Sequence, residues 1–146
     1  MSDTTTRTRT TTTMRHDLSS PSYQAFVILR SAFTIAPILF GIDKFFDYMV
    51  NWDAYLAPGI ASLSPFSVHT TMHIVGVVEI AAGVVVALWP RIGAPVVALW
   101  LLGIIVNLLL LGGHLDIALR DLGLCLAAVA LARLSVDAEK KSPTEV

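Results

Sequence analysis

The sequence predicts an all-α integral membrane protein: a four-helix bundle with both termini cytoplasmic and a short interfacial segment between helices one and two. Three observations carry this reading. The 146 residues are 55% hydrophobic and only 14% charged, with a mean hydropathy of +0.71, whereas a soluble domain carries about 25% charged residues. Four apolar segments recur along the chain, each close to the ~20 residues that cross a hydrocarbon core as a helix. Lysine and arginine are distributed unevenly about those segments, which sets an orientation.

Residues 1–22 are Thr-rich, with Arg7, Arg9 and Arg15 and few apolar side chains. They cannot bury enough surface to offset ordering and read as a disordered cytoplasmic tail. The membrane domain is expected over residues 23–134 and a second disordered tail over 135–146. Segment one, about Tyr23 to Gly41, is interrupted only by Arg30. Segment two, Val68 to Trp89, contains His69, His73 and Glu79. Segment three, Ile92 to Gly113, carries Pro95 early and Asn107 late. Segment four, about Leu115 to Leu134, holds Asp116, Arg120 and Asp121 in its first third. That last segment spans only if its charged end faces protein rather than lipid. Segments two and three lack the polar face a soluble helix needs. Segment one is too long, and lacks the small-residue cleavage site, for a removed signal peptide.

Seven of the ten basic residues fall on one side, in the N-tail, at Arg91 and at the C-terminal end. Both termini are therefore expected in the cytoplasm, with the protein in the cell inner (plasma) membrane. The connection from Asp43 to Gly59 then lies on the outer face. Its Phe45, Phe46, Tyr48, Trp52 and Tyr55 suit an aromatic belt, or a segment folded over the bundle mouth, while Pro58 and Pro65 prevent a long helix there.

Ionisable groups in a bilayer face the bundle interior and find partners. Counting 1.5 Å per residue from helix ends places His73, Asn107 and Arg120 about 8 Å below the outer surface. Asp43 and Lys44 close the fourth side. With Asp116 and Asp121 these residues form a candidate outward-facing polar pocket. Asp116 and Arg120, four apart, are expected to pair, leaving Asp121 for Lys44. Arg30 and Glu79 are expected to form an intramembrane ion pair tying segments one and two together. Gly76 and Gly83 flank Glu79 and admit a neighbouring helix closely.

His69 and His73 have the i, i+4 spacing of metal ligands, and His114 and Asp116 follow later. No HExxH pattern accompanies them, and histidines at a helix end more often hydrogen-bond, so no metal site is assigned. The single Cys125 excludes an intrachain disulfide and a CxxC motif. With a net charge of −1, no nucleic-acid partner is indicated. No glycine-rich phosphate loop or GxSxG motif is present, and no catalytic residue is assigned.

"FGIDKFFDY", "IVGVVEIAAGVVV" and "DIALRDLGLCLAAVALARL" resemble the DoxX-like family of small four-helix membrane proteins, over about Ala25 to Leu134. The shared positions are Gly41 with Lys44, Glu79 with Gly83, and Arg120 with Asp121. The resemblance implies association with membrane redox complexes. It does not imply dithiol chemistry, because the cysteine pairs of thiol-active relatives are missing. The expected function is a non-catalytic accessory or assembly subunit of a respiratory or redox complex, with the bilayer and other subunits or a second copy as partners. No cofactor is predicted on that reading. A first alternative is an oxidoreductase component binding a quinone or small anion in the polar pocket through Arg120, Lys44 and His73. A second is a small transporter or channel with Asp121 and Glu79 along its path.

Overall fold

The computed structural model describes residues 20–139; of the tails expected over 1–22 and 135–146, residues 1–19 and 140–146 lie outside the described residues, while 21–22 and 135–139 are helical rather than disordered. Helix α1 spans Pro21–Asp43, a 3-10 turn spans Trp52–Tyr55, and a short α2 spans Pro58–Ala61. Helices α3 (Val68–Leu88), α4 (Pro90–Leu111) and α5 (Leu115–Glu139) follow among the described residues. The four long helices run alternately up and down. Helix α1 packs most extensively on α3 and α4 on α5, while α3 with α4 and α1 with α5 meet more narrowly and close the ring. The connection between α1 and α3 covers one end of the bundle, here the cap end. The helices reach beyond the expected domain edges at both ends of the described chain, with Pro21 opening α1 and α5 continuing to Glu139.

Local chemistry explains the boundaries. Pro21 and Pro90 stand at first helical positions, where a missing N–H costs nothing. Ser67 caps α3, its side chain accepting from the Thr70 N–H at 3.2 Å. Pro37 lies inside α1 and Pro95 inside α4; neighbouring helices let membrane helices tolerate such breaks in the hydrogen-bond ladder. Gly112 and Gly113 both adopt positive φ, 76° and 77°. Only glycine takes that conformation freely, and it turns the chain within three residues from α4 into α5. Asp116 in the first turn of α5 complements the positive helix end.

Three helices, α1, α3 and α4, are long and apolar enough to cross a membrane. Helix α5 has the length, 25 residues, but its charges keep it outside that group. The surface fits a membrane protein. Ile28, Ile35, Leu39, Val77, Leu99, Leu102 and Leu110 are exposed, on a scale that a soluble monomer would not tolerate. The interior is small and close-packed. Phe26, Phe33, Val86, Ala94, Val97, Ala98, Ala128 and Leu131 form the apolar core, with Cys125 donating its thiol to the Ala98 carbonyl at 3.4 Å. Towards the cap end the interior changes character and holds Asp43, Lys44, Glu79 and Asp121, all buried.

Helices α1 and α3 touch backbone to backbone. A Cβ at Gly41 would lie 2.5 Å from the Gly76 carbonyl oxygen, and one at Gly76 would lie 2.7 Å from that of Gly41. Seven residues further along, a Cβ at Gly83 would meet the Thr34 carbonyl at 2.8 Å. This antiparallel register makes α3 outrun α1 at the cap end by about 9 Å, the rise of six residues. Overpacking such a contact costs about 1–3 kcal/mol. Gly76→Ala is therefore expected to destabilise the protein by that amount in detergent unfolding. Gly103→Ala, with nothing within 4 Å of its Cβ, should leave the midpoint unchanged or slightly raised.

Candidate functional site

The polar residues converge at the cap end, but their partners differ from those expected. Lys44 forms the C-cap of α1, and its side chain turns back along α3. Its Nζ donates to Glu79 Oε2 at 2.7 Å and sits 3.6 Å from the centre of the Trp52 ring. Lys44 is only 5% exposed and Glu79 7%. The ammonium thus has a carboxylate on one side and an aromatic face on the other, and a desolvated cation–π contact adds up to about 2 kcal/mol.

Trp52 is held in place by the residue before Lys44. Its Nε1 donates to Asp43 Oδ2 at 2.7 Å, and the Met49 N–H donates to Asp43 Oδ1 at 3.1 Å. The bend at Lys44–Asp47 is closed by Phe46 N and Asp47 N donating to the Asp43 carbonyl, at 3.0 and 2.8 Å. Asp47 adopts φ 49°, a left-handed conformation that Asp accepts more readily than most residues.

The expected Arg30–Glu79 pair does not form. The register that sets Gly41 against Gly76 runs on to place Arg30 level with Ala87, eight residues or about 12 Å from Glu79. Arg30 Nη2 accordingly donates to the Ala87 carbonyl, one of the carbonyls left unbonded at the end of α3, and its guanidinium lies 6.0 Å from the Phe26 ring. Glu79 is thereby left for Lys44, which removes the expected Lys44–Asp121 pair. Asp121 is buried at 8% exposure and interacts electrostatically with Arg120 and Glu79. The expected Asp116–Arg120 pair is also missing: both residues are exposed, and the ion pairs among the described residues are Lys44–Glu79 and His69–Asp53. An exposed pair gains little in high dielectric, so nothing holds Asp116 to Arg120.

Asn107, expected in the polar pocket, grips the connection. Its Nδ2 donates to the Tyr55 carbonyl at 2.6 Å and its Oδ1 accepts from the Ala57 N–H at 2.9 Å. The three described histidines also face the connection. His69 Nδ1 donates to Asp53 Oδ2 at 3.3 Å. His73 stacks on Phe45 with centroids 4.8 Å apart, and its ring meets that of His69 at 4.3 Å. His114 packs on Tyr55 at 5.3 Å and donates to the Gly112 carbonyl. No three His, Cys, Asp or Glu side chains among the described residues are placed to hold a metal ion.

The pocket expected among Asp43, Lys44, His73, Asn107, Asp116, Arg120 and Asp121 is thus divided. Asp43, Lys44, His73 and Asn107 bind the cap, Asp121 is buried behind them, and Asp116 and Arg120 lie on the surface. Sequence reasoning placed Trp52 in an aromatic belt and missed its role over Lys44. The signal available was an acidic residue next to the buried lysine, followed by an indole within loop reach.

No family model, curated protein or solved structure matches this chain.

Two outcomes follow. Removing one partner of a buried ion pair costs about 3–5 kcal/mol. Lys44→Met should therefore lower detergent stability by that order, while Lys44→Met combined with Glu79→Leu should recover most of it. Asn107→Leu leaves the Ala57 N–H without an acceptor, a loss of about 1–3 kcal/mol. Hydrogen exchange over residues 52–57 should then accelerate, with the α4–α5 core unchanged.

Proposed function

We propose that this protein is a non-catalytic accessory or assembly subunit of a membrane complex, respiratory or redox in type. On this reading it is a DoxX-like protein of the cell inner membrane, with both tails in the cytoplasm and the cap on the outer side. The observation that carries the proposal is the use made of the buried polar groups. Lys44 is engaged by Glu79 and Trp52, Asp43 by Trp52 and Met49, and Asn107 by Tyr55 and Ala57. These contacts give the bundle an ordered end and occupy Lys44, one of the three donors that the quinone or anion reading relies on. A rigid helical body with extensive exposed apolar faces is suited to packing against other membrane subunits.

The test is gentle extraction of the tagged protein at native expression, followed by mass spectrometry of what accompanies it. A larger membrane complex in stoichiometric ratio is expected. A monodisperse homo-oligomer without partners, or a tightly retained quinone released by Lys44→Met, would overturn the proposal.

A further inference from the structure

On the side of α1 away from α3, the last two turns of the helix and the bend that follows border an open groove of about 670 Å³. Its walls are Ala36, Leu39, Phe40 and Ile42 from the helix and Phe46, Tyr48 and Met49 from the bend, with Asp43 at their junction. The lining is almost wholly apolar, because the Asp43 carboxylate is turned to Trp52 and Met49. A volume in this range accommodates a small-molecule-sized guest. A lining without free donors or acceptors selects hydrocarbon over a polar ring. The groove runs along an apolar helix long enough to cross a membrane, so a lipid chain reaches it directly from the bilayer.

The rim sets the headgroup. Between Phe45 and Ser67 the charged residues are Asp47 and Asp53, with no lysine or arginine. Asp47 is not itself part of the lining but stands between Phe46 and Tyr48, which are; it is exposed and uses one carboxylate oxygen, Oδ1, to accept from the Trp52 N–H at 3.2 Å. Its other oxygen has no hydrogen-bond partner among the described residues. Tyr48 beside it is 91% exposed and presents an aromatic face. A free carboxylate oxygen next to an exposed ring favours an ammonium group and repels an anionic one. The one nearby cation, Lys44, is buried against Glu79.

We propose that this groove is a specific lipid site, holding an acyl chain between α1 and the bend, with an ammonium-bearing headgroup such as that of phosphatidylethanolamine at Asp47 and Tyr48. The site stands on its lining and charge and does not depend on the accessory-subunit reading. A lipid seated there lies against Phe40, which packs edge-on to Trp52 with centroids 6.2 Å apart. Lipid occupancy therefore bears on the same indole that covers Lys44.

The test uses the full chain in detergent, stripped of lipid and titrated with dioleoyl phosphatidylethanolamine or dioleoyl phosphatidylglycerol, with bound lipid counted by native mass spectrometry. One phosphatidylethanolamine per chain is expected, favoured over phosphatidylglycerol by about two- to fivefold, the scale of an exposed ion pair. Asp47→Asn should remove the preference without removing the lipid. Ala36→Trp, which fills the groove, should abolish retention of both lipids; Leu39→Trp, from another point of the lining, guards against a folding failure of the first variant. Equal retention of the two lipids by the unaltered protein would overturn the headgroup assignment. Retention unchanged in folded Ala36→Trp and Leu39→Trp would show annular lipid only and overturn the site.

Discussion

The approach of α1 to α3 at Gly41 and Gly76 fixes the level at which every other group on these helices meets its neighbour. Two backbones touching at carbonyl oxygens leave no freedom to slide, because a shift of one residue would drive Ile38 or Ile80 into the facing helix. From that register follow the reach of Lys44 to Glu79, the placing of Arg30 at the end of α3, and the step that the connection must cover. The contact contributes geometry more than energy, and its role is to select one arrangement among many that similarly apolar helices could adopt.

The buried ion pair depends on the same arrangement. In a low-dielectric interior an ammonium is tolerated only when its partners are close and ordered. Here Glu79 supplies the opposite charge, Trp52 a polarisable face, and Asp43 fixes the indole. The connection is consequently an integral part of the bundle's polar interior rather than a loose link between helices. Asn107 and the histidines extend this attachment to α4, α3 and the start of α5. The cap end and the apolar core therefore rely on different forces. Small side chains and dispersion hold the alanine-rich half, while directional polar contacts hold the other.

Much of the fold was legible in the sequence. Runs of about twenty apolar residues bounded by Pro, Gly and Ser mark the long helices to within a few residues, because little else can satisfy their backbone groups. That Asp43, Lys44, Asn107 and Asp121 lie towards one end was also readable, since polar groups in an apolar chain must turn inward; Glu79 was expected apart from them, with Arg30. Their pairing was not. Depth counted from helix ends assumes that the helices end level, and α1 and α3 do not. That offset misassigned Arg30 to Glu79 and Lys44 to Asp121. Asn107 was misread for a different reason: its partners are backbone groups of the connection, which carry no side-chain signature.

The offset between α1 and α3 has a consequence for the surroundings of the molecule. Helix α3 projects beyond α1 at the cap end, and α1 begins well beyond the far end of α3. In a bilayer the two faces of the protein thus offer apolar bands at different heights. Matching both requires the molecule to tilt or the nearby leaflet to thin, at a fraction of a kcal/mol per Å of mismatch. A small protein shaped in this way is sensitive to hydrocarbon thickness, and membranes of different thickness would favour different tilts of the whole bundle.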